Sequence, residues 1–333
     1  MDKKKKWTEQ EIGKIYYLPL MELVYKAATV HRAQGNWQEV QVCSLLSIKT
    51  GGCKEDCAYC PQAARYHTGV NPEPLMDLED VLQKAQTAKD MGATRFCMGA
   101  AWREVRNNRH FDCILEMVTE VNKMGMEVCC TLGMLEEQQA LRLKEAGCYA
   151  YNHNIDTSPS YYGNIISTRQ FDDRLQTLKH VAQAGMSVCC GGIIGLGETD
   201  EDRIAMLTTL ANMDPQPESV PVNALVAVQG TPLQDRCRVG FDEMLRMIAA
   251  ARILMPDSMV RLSAGRLEMS VAEQALCFMA GCNSIFAGEK LLTTPNPCID
   301  QDMEMFRKLG LRPRKAFAAE ERVPKAAKEE AAA

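Results

Sequence analysis

Three cysteines lie close together in a glycine-rich stretch of the chain. Cys53, Cys57 and Cys60 follow Gly51-Gly52 with the spacing C-x3-C-x2-C. Structural zinc sites usually take four ligands from paired C-x2-C units, whereas this local set stops at three. A [4Fe–4S] cluster needs four iron ligands, so three cysteines would leave one iron open for another molecule. The spacing therefore favours an iron–sulfur cluster over zinc-bound or simply packed thiols.

The composition of the chain agrees with an enzyme that uses such chemistry. Its 333 residues include 15 cysteines, the hydrophobic fraction is 46%, and the net charge is −5. This balance excludes a disordered or fibrous chain and gives no basic excess for nucleic acid. No signal-peptide pattern or apolar run of transmembrane length occurs, which predicts a cytoplasmic protein with reduced thiols and no membrane partner. Several cysteines, such as Cys113 and Cys277, are expected only to pack as small hydrophobes.

Short apolar segments alternate with amphipathic stretches along most of the sequence. The predicted strands are 41–47, 94–99, 127–132, 150–155, 187–194, 219–228, 260–263 and 284–287. The predicted helices between and after them are 78–91, 111–124, 136–146, 171–184, 200–212, 242–254 and 271–280. This alternation predicts an α/β protein with a parallel sheet, and eight such units would close into a (β/α)8 TIM-type barrel.

Extensions flank the predicted barrel on both sides. Residues 1–40 are predicted to form an N-terminal helical extension, 41–312 the barrel, and 313–333 a disordered, solvated tail. Functional residues of such barrels lie at the C-terminal ends of the strands and in the loops that follow. The three cysteines follow the first predicted strand, and therefore belong to this end of the barrel.

The cysteine loop resembles the signature of the radical S-adenosylmethionine (SAM) enzymes, including an aromatic residue, Tyr59, before the last cysteine. In that family the three cysteines hold a [4Fe–4S] cluster, and the methionyl part of SAM chelates the fourth iron. Reductive cleavage of the sulfonium then gives a 5′-deoxyadenosyl radical. The resemblance therefore implies SAM as a cofactor and a low-potential electron donor, such as a flavodoxin- or ferredoxin-like protein.

Longer segments narrow the resemblance to the biotin synthase family. Residues 151–157, 191–199, 218–223 and 260–266 are similar to segments of that family, within a match from about residue 25 to 311. The resemblance implies a sulfurtransferase that converts dethiobiotin to biotin after radical hydrogen abstraction at two carbons. It also implies a second, [2Fe–2S] cluster as the sulfur source and, by analogy, a homodimer.

The resemblance places the ligands of the second cluster on four separate strands: Cys97, Cys129, Cys189 and Arg261. Two of these cysteines are each followed by another, at 130 and 190. Adjacent strand residues face opposite sides, so only one of each pair can face the barrel interior. The flanking residues select Cys129 and Cys189, although spacing alone leaves the other register open.

Arg261 is the least ordinary of these predicted ligands. A guanidinium is normally protonated and has no lone pair to give. Without the resemblance, we would expect Arg261 to pair with carboxylates inside the barrel. With it, ligation is favoured, but the Fe–N bond should be easy to lose, so Arg261 is predicted to be the least essential ligand.

Polar side chains mark the end of the fourth strand. Asn152, Asn154 and Asp156 alternate and so share one face, although Asp156 alone could serve a turn. The resemblance implies that Asn152 and Asn154 bind the ureido ring of dethiobiotin, with Asn223 as a further contact, because amides match its carbonyl and N–H groups. It also implies SAM contacts, which are Tyr59, Ala100, Asn154, Asp156, Arg174 and Ile193. His153 is expected to be buried and hydrogen-bonded.

Three alternatives stay open at this point. Another radical SAM enzyme, catalysing a rearrangement or metallocofactor assembly, would not need the second ligand set. An iron–sulfur redox carrier would not need the polar strand ends. A zinc-stabilised binding protein would be separated from both by metal analysis.

Overall fold

The computed structural model describes residues 6–316, apart from residue 289. Its strands are β1 (Glu39–Lys49), β2 (Arg95–Ala100), β3 (Glu127–Thr131), β4 (Cys148–Asn152), β5 (Ser187–Cys189), β6 (Gly192–Ile194), β7 (Ser219–Ala224), β8 (Met259–Leu262), β9 (Ser284–Phe286), β10 (Lys290–Leu291), β11 (Thr294–Pro295) and β12 (Arg312–Pro313). Its α-helices are α1 (Glu9–Tyr16), α2 (Leu20–Ala33), α3 (Leu78–Asp90), α4 (Arg109–Lys123), α5 (Glu137–Glu145), α6 (Phe171–Gln183), α7 (Asp200–Ala211), α8 (Phe241–Leu254), α9 (Val271–Met279) and α10 (Ile299–Leu309).

The parallel strands close into a barrel in the order β1-β2-β3-β4-β5-β7-β8-β9, with β9 pairing back onto β1. The predicted (β/α)8 barrel is confirmed. The single strand predicted over 187–194 is wrong in one respect, because it divides into β5 and β6, and β6 pairs with β7. The break falls at Gly191, where a Cβ atom would lie 2.0 Å from the carbonyl oxygen of Pro221, so only glycine fits.

The N-terminal extension is built into the outer helical layer, where α1 and α2 pack against α7 and α8. The Tyr16 hydroxyl donates to Asp200 Oδ1 at 3.1 Å, and Arg246 Nη1 donates to the Leu18 carbonyl at 2.8 Å. These long-range contacts tie the two helices to the barrel.

The C-terminal part departs from the prediction in two places. Arg312–Pro313 forms β12 and pairs with β1 at Glu39 and Val40, so the predicted tail does not begin at 313. Residues 317–333 of that tail lie outside the described residues. The short hairpin of β10 and β11 was not predicted, and its connecting residues Leu292 and Thr293 line the mouth of the barrel.

Candidate active site

An open cavity of about 320 Å³ lies at the C-terminal ends of the strands. All three loop cysteines line it, together with Cys97, Cys129 and Arg261. The position is the one that the barrel fold assigns to active sites. The cavity therefore brings together two sets of sulfur ligands that lie far apart in the sequence.

The cysteine loop follows β1 and is shaped by its two glycines. Gly51 and Gly52 have φ values of 66° and 70°, a region that side chains other than glycine rarely adopt. The loop then folds back on itself, because the Cys53 amide donates to the Gln62 carbonyl at 3.0 Å and the Gly51 amide to Gln62 Oε1 at 3.1 Å. This closure directs the three thiols to the cavity.

Asp56, between the first two cysteines, anchors the loop to the connection that follows β4. Its carboxylate accepts from the backbone amides of Ser167 and Thr168 at 2.9 and 3.1 Å, and from Arg65 Nη1 at 3.3 Å. Burial alone would raise the pKa of Asp56, but these hydrogen bonds lower it to about 2. Asp56 is therefore ionised at neutral pH and holds the loop in place.

Burial raises the pKa of the Cys57 thiol to about 11 and that of Cys60 to about 12. Both thiols are therefore protonated in the free chain at neutral pH. Because thiolates are the iron ligands, binding of a cluster must release these protons. The donor set itself, three thiols converging on one cavity, fits a cluster that keeps one iron for another ligand.

The second sulfur set forms a layer inside the barrel. The Cys97 and Cys189 thiols hydrogen-bond to Cys129, and these contacts lower the pKa of Cys129 well below the usual thiol range. Cys130 and Cys190, by contrast, belong to the apolar layer between the strands and the helices. The structure thus places Cys97, Cys129 and Cys189 together inside the barrel. Cys130 and Cys190 point outward, toward the helices.

Arg261 completes this layer from β8. Its Nη1 lies 3.8 Å from Cys189 Sγ, its Nη2 lies 3.3 Å from Cys43 Sγ, and its Nε donates to Ser284 Oγ at 3.0 Å. The carboxylates below it, Glu127 and Glu218, are instead paired with the buried Arg95 at 2.9 and 2.8 Å. The carboxylate pairing considered for Arg261 is therefore made by Arg95.

Cys43 was not among the predicted site residues. It lies on β1, is fully buried, and contacts the Cys97 thiol as well as Arg261. Burial alone would raise its pKa, but the Cys97 contact and the charges of Arg261 and Arg95 lower it to about 6. No local spacing motif marks such a residue, because only closure of β9 onto β1 brings it to Arg261.

The polar residues that follow β4 contact a side chain from the first half of α6. Arg174 forms a buried ion pair with Asp156, and its Nε donates to the Tyr162 hydroxyl at 2.9 Å. Asp156 has a φ of 66°, and its carbonyl accepts from the Ile193 amide at 2.7 Å. The turn considered for Asp156 and its position at the cavity are therefore both present, and Arg174 is buried beside it.

The amide side chains differ in how far they are already engaged. Asn154 Oδ1 accepts from the Gly191 amide at 3.1 Å. Asn223 Nδ2 donates to the Gly192 carbonyl at 2.9 Å, and its Oδ1 accepts from the Ala264 amide at 3.3 Å. Both hydrogen-bonding ends of Asn223 thus have backbone partners. The other predicted contacts also line the cavity, and they are Asn152, Tyr59, Ala100 and Ile193.

Two buried nitrogen-bearing side chains line the cavity with atoms that have no hydrogen-bond partner among the described residues. They are His153, through Nε2, and Arg169, through Nε and Nη1. His153 is buried as expected, but the expected hydrogen bond of its ring is not made by Nε2. Burial and the charges of Arg174 and Arg169 hold its pKa well below the usual range, so its ring is neutral. The sequence analysis did not identify Arg169 as a site residue, because an arginine that follows Ser167 and Thr168 belongs to no recognisable motif.

Within the described part of the chain, no three His, Cys, Asp or Glu side chains approach closely enough to hold a metal ion. In a [4Fe–4S] centre, each cysteine thiolate binds a different iron, so the thiols need not meet at one metal ion. The separate thiols of the loop therefore suit a cluster. Unpartnered buried donors in the same cavity suit a polar cofactor beside it.

The fold and the cysteine loop define a radical SAM enzyme. The family model of the radical SAM superfamily matches residues 47–210, and that of the biotin and thiamin synthesis associated domain matches 221–312. Solved structures with the same fold include methylornithine synthase, with a TM-score of 0.77 and 19% identity over 99% of this chain and 98% of that one. An [FeFe]-hydrogenase maturase gives a TM-score of 0.83 and 17% identity over 98% of this chain and 77% of that one.

Relatives of known function narrow the assignment from the radical SAM superfamily to one family within it. Biotin synthase of Cytophaga hutchinsonii is 64% identical over 311 residues, 93% of this chain and 92% of that protein. The Myxococcus xanthus enzyme is 62% identical over 94% of this chain and 90% of that protein, and the mitochondrial enzyme of Arabidopsis thaliana 60% over 92% and 82%. The chain belongs to the biotin synthase family.

This membership confirms the predicted activity and cofactors. The chain is a sulfur-inserting radical SAM enzyme that converts dethiobiotin to biotin, with SAM, a [4Fe–4S] cluster and a [2Fe–2S] cluster. Among the described helices, none is long and apolar enough to cross a membrane.

Proposed function

We propose that the two clusters of this sulfur-inserting enzyme bind at opposite depths of the one cavity. Cys53, Cys57 and Cys60 hold the [4Fe–4S] cluster at the loop, and SAM takes its fourth iron. Cys97, Cys129 and Cys189 hold the [2Fe–2S] cluster inside the barrel, with Arg261 beside them. The observation that carries this proposal is that Cys97 and Cys129 line the cavity beneath the loop, while Cys189 contacts both Cys129 and Arg261.

When bound, the clusters and SAM supply the radical that abstracts hydrogen and the sulfur that replaces it. The chain's own residues position the reactants between the two sulfur sets. Asp156 and Arg174 present a fixed ion pair to the SAM ribose and amino-acid groups, and Tyr59 and Ile193 pack beside the adenosyl group. Ala100 lies at the end of β2, where backbone groups bind the SAM amino acid. Arg169 Nε lies 3.7 Å from Glu55 Oε1, and its Nη1 has no hydrogen-bond partner among the described residues, so Arg169 is a further contact for an anionic group.

Dethiobiotin lies between these layers in the proposal. Asn152 and Asn154 hydrogen-bond its ureido ring, and the β10–β11 hairpin covers it from the mouth. Asn223 contacts the same ring less directly, because its amide already holds Gly192 and Ala264. Insertion of one sulfur replaces two C–H bonds, so the proposal requires two hydrogen abstractions for each biotin formed.

Three features of the wider proposal rest on the family alone. A flavodoxin- or ferredoxin-like protein donates the electron for each SAM cleavage. The enzyme works as a homodimer. It is located in the cytoplasm, although one of its relatives is mitochondrial.

An isotope experiment tests the proposed sulfur source. The protein is reconstituted anaerobically with iron and ³⁴S-sulfide, freed of excess sulfide, and supplied with SAM, dethiobiotin and reduced flavodoxin. Mass spectrometry should find ³⁴S in the first biotin formed, and Cys97→Ala should form none while still cleaving SAM. Unlabelled biotin, or labelled biotin from Cys97→Ala at the parent yield, would contradict the proposal.

A further inference from the structure

A second depression, of about 230 Å³, lies beside the cysteine loop, and we call it the basic depression. It is lined by Gly52 and Lys54, the two neighbours of Cys53, whereas Cys53 itself lines the active-site cavity. Ala101 and Trp102 line both spaces. The segment around Cys53, together with residues 101–102, therefore lies between the basic depression and the active-site cavity.

The basic depression has a charge opposite to that of the whole chain. Four lysine or arginine residues and one carboxylate line it, although the net charge of the chain is −5. Asn108, which caps the N-terminus of α4, also lines the depression, so the partial positive charge of that helix end adds to the local field. The depression is therefore suited to anionic groups. Its charged residues are Lys49, Lys54, Arg103, Arg106 and Glu104.

Two of these cations are fixed by the protein, and two are exposed. Arg103 Nη1 donates to the Thr168 carbonyl at 2.6 Å, and Lys49 Nζ donates to the carbonyls of the loop that begins at Thr50. The Arg106 side chain is 67% exposed and pairs with Glu104 at 2.9 Å. Lys54 is exposed and forms no ion pair among the described residues. Lys54 and Arg106 are therefore available to an approaching partner.

We propose that the basic depression is the docking site of an acidic electron-carrier protein, which delivers its electron to the loop beside Cys53. This inference rests on the proposed function, because that function places the [4Fe–4S] cluster at the loop. Each encounter oxidises the carrier by one electron and reduces the cluster by one, and no bond forms or breaks at the docking surface.

The position of the depression favours this kind of partner. In the proposed function, SAM and dethiobiotin occupy the active-site cavity, so the electron must enter from outside it. Electron transfer slows steeply with distance, and Cys53 is partly exposed whereas Cys57 is buried. Lys54 and Arg106 pair with carboxylates around the redox group of the carrier, and the positive field steers an acidic protein to this edge of the loop.

The inference is tested with the reconstituted holoenzyme and an acidic flavodoxin. The Kd of the complex is measured by isothermal titration calorimetry at low and at physiological salt. Arg106→Glu should raise this Kd about fivefold at low salt, and Arg106→Glu combined with Lys54→Gln about tenfold, because exposed charge pairs across the interface are lost. Physiological salt should weaken binding by the parent protein more than binding by the variants, because it screens these charges.

SAM cleavage supplies the second readout. With reduced flavodoxin, kcat/KM for the carrier should fall in the variants by the same factors as binding. With photoreduced deazariboflavin, a small uncharged reductant that needs no docking surface, the variants should cleave SAM at the parent rate.

Arg307→Glu is the matched control. The Arg307 side chain is 72% exposed and pairs with Glu304 at 2.8 Å, much as Arg106 pairs with Glu104, but it lies on α10 and does not line the depression. It should leave the Kd unchanged. Equal Kd values for Arg106→Glu and the parent protein at low salt, or an equal weakening by Arg307→Glu, would overturn the inference. A parent protein that cannot cleave SAM with photoreduced deazariboflavin would instead contradict the proposed cluster position, while the Kd values would still decide the docking site.

Discussion

At the scale of single residues, the direction in which each strand cysteine points decides which layer it belongs to. Cys129 lies in the inner layer, whereas Cys130 packs in the apolar layer with Cys148. The alternation of side chains along a strand makes the two positions exclusive. A pair of adjacent cysteines therefore supplies one candidate ligand and one packing residue.

Cys129→Ala should lose about two irons per chain together with the [2Fe–2S] absorption, because it removes a central thiol of the inner layer. Cys130→Ala should keep both, and so should Cys190→Ala. The measurement is iron and sulfide content with the visible spectrum after anaerobic reconstitution. Loss of the two-iron spectrum in Cys130→Ala would show that the proposed register is wrong.

The sequence could predict such positions only where a local rule applied. The loop cysteines have a spacing, and Asn152, Asn154 and Asp156 have an alternation, so they could be found. The ion pair of Asp156 with Arg174, the backbone contacts of Asn223, and the place of Cys43 depend on contacts between distant segments. No pattern within one segment encodes those contacts.

At the scale of elements, the cysteine loop depends on a tether from another part of the barrel. Asp56 accepts two backbone hydrogen bonds from the connection between β4 and α6. Asp56→Ala leaves those amides without their acceptor and should lower the free energy of unfolding by about 1–3 kcal/mol. The loop should also release its cluster several-fold faster to a chelator, as followed by the visible spectrum.

The control for Asp56 is Asp112→Ala, which removes an exposed carboxylate paired with Arg142. It should change stability by less than about 1 kcal/mol and leave cluster release unchanged. Equal release rates in Asp56→Ala and in the parent protein would show that the tether does not hold the loop.

Beneath the inner sulfur layer, Arg95 joins β2 to β3 and to the start of β7 through Glu127 and Glu218. The Tyr149 hydroxyl also donates to Glu218 at 2.7 Å. Arg95→Met leaves buried carboxylates without their cation and should lower the free energy of unfolding by about 3–5 kcal/mol. The control is Arg142→Met, which removes the exposed ion pair with Asp112. It should lower the free energy of unfolding by less than about 1 kcal/mol.

This network also predicts a pH dependence with a definite sign. Burial alone would raise the pKa of Glu218, but Arg95 and its hydrogen bonds lower it below the usual value. A lowered folded-state pKa stabilises the protein above the unfolded value of ~4.3, and this stabilisation is lost as the pH falls through the folded pKa. The difference in stability between the parent protein and Arg95→Met should therefore be largest near neutral pH and shrink in acid. A difference that grows in acid in urea titrations would contradict the assignment.

The elements themselves were largely predictable, because the alternation of strands and helices is a local signal. The exceptions have physical reasons. The break between β5 and β6 arises from the close approach of Gly191 to Pro221, which is a tertiary contact. The hairpin of β10 and β11 and the pairing of β12 with β1 involve two-residue strands, which are too short for a periodic pattern.

At the scale of the whole molecule, closure of the barrel is what makes one site out of distant sequence segments. The loop after β1 and residues of β2, β3, β4, β7 and β8 line one cavity, and Cys189 of β5 lies 3.8 Å from Arg261 Nη1 at its base. The loop sulfurs lie near the mouth and the inner sulfurs lie deeper, so a substrate between them is within reach of both. This arrangement suits an enzyme that must first abstract hydrogen and then deliver sulfur to the same carbon.

The most direct test of this account is the iron and sulfide content of the anaerobically reconstituted protein, resolved into cluster types by Mössbauer spectroscopy. The account predicts about six irons per chain, as one [4Fe–4S] and one [2Fe–2S] cluster. Cys97→Ala should then retain about four irons, and Cys53→Ala about two. A parent protein that forms biotin with only about four irons, or a Cys97→Ala variant that keeps all six, would contradict the central claim of two clusters in one cavity.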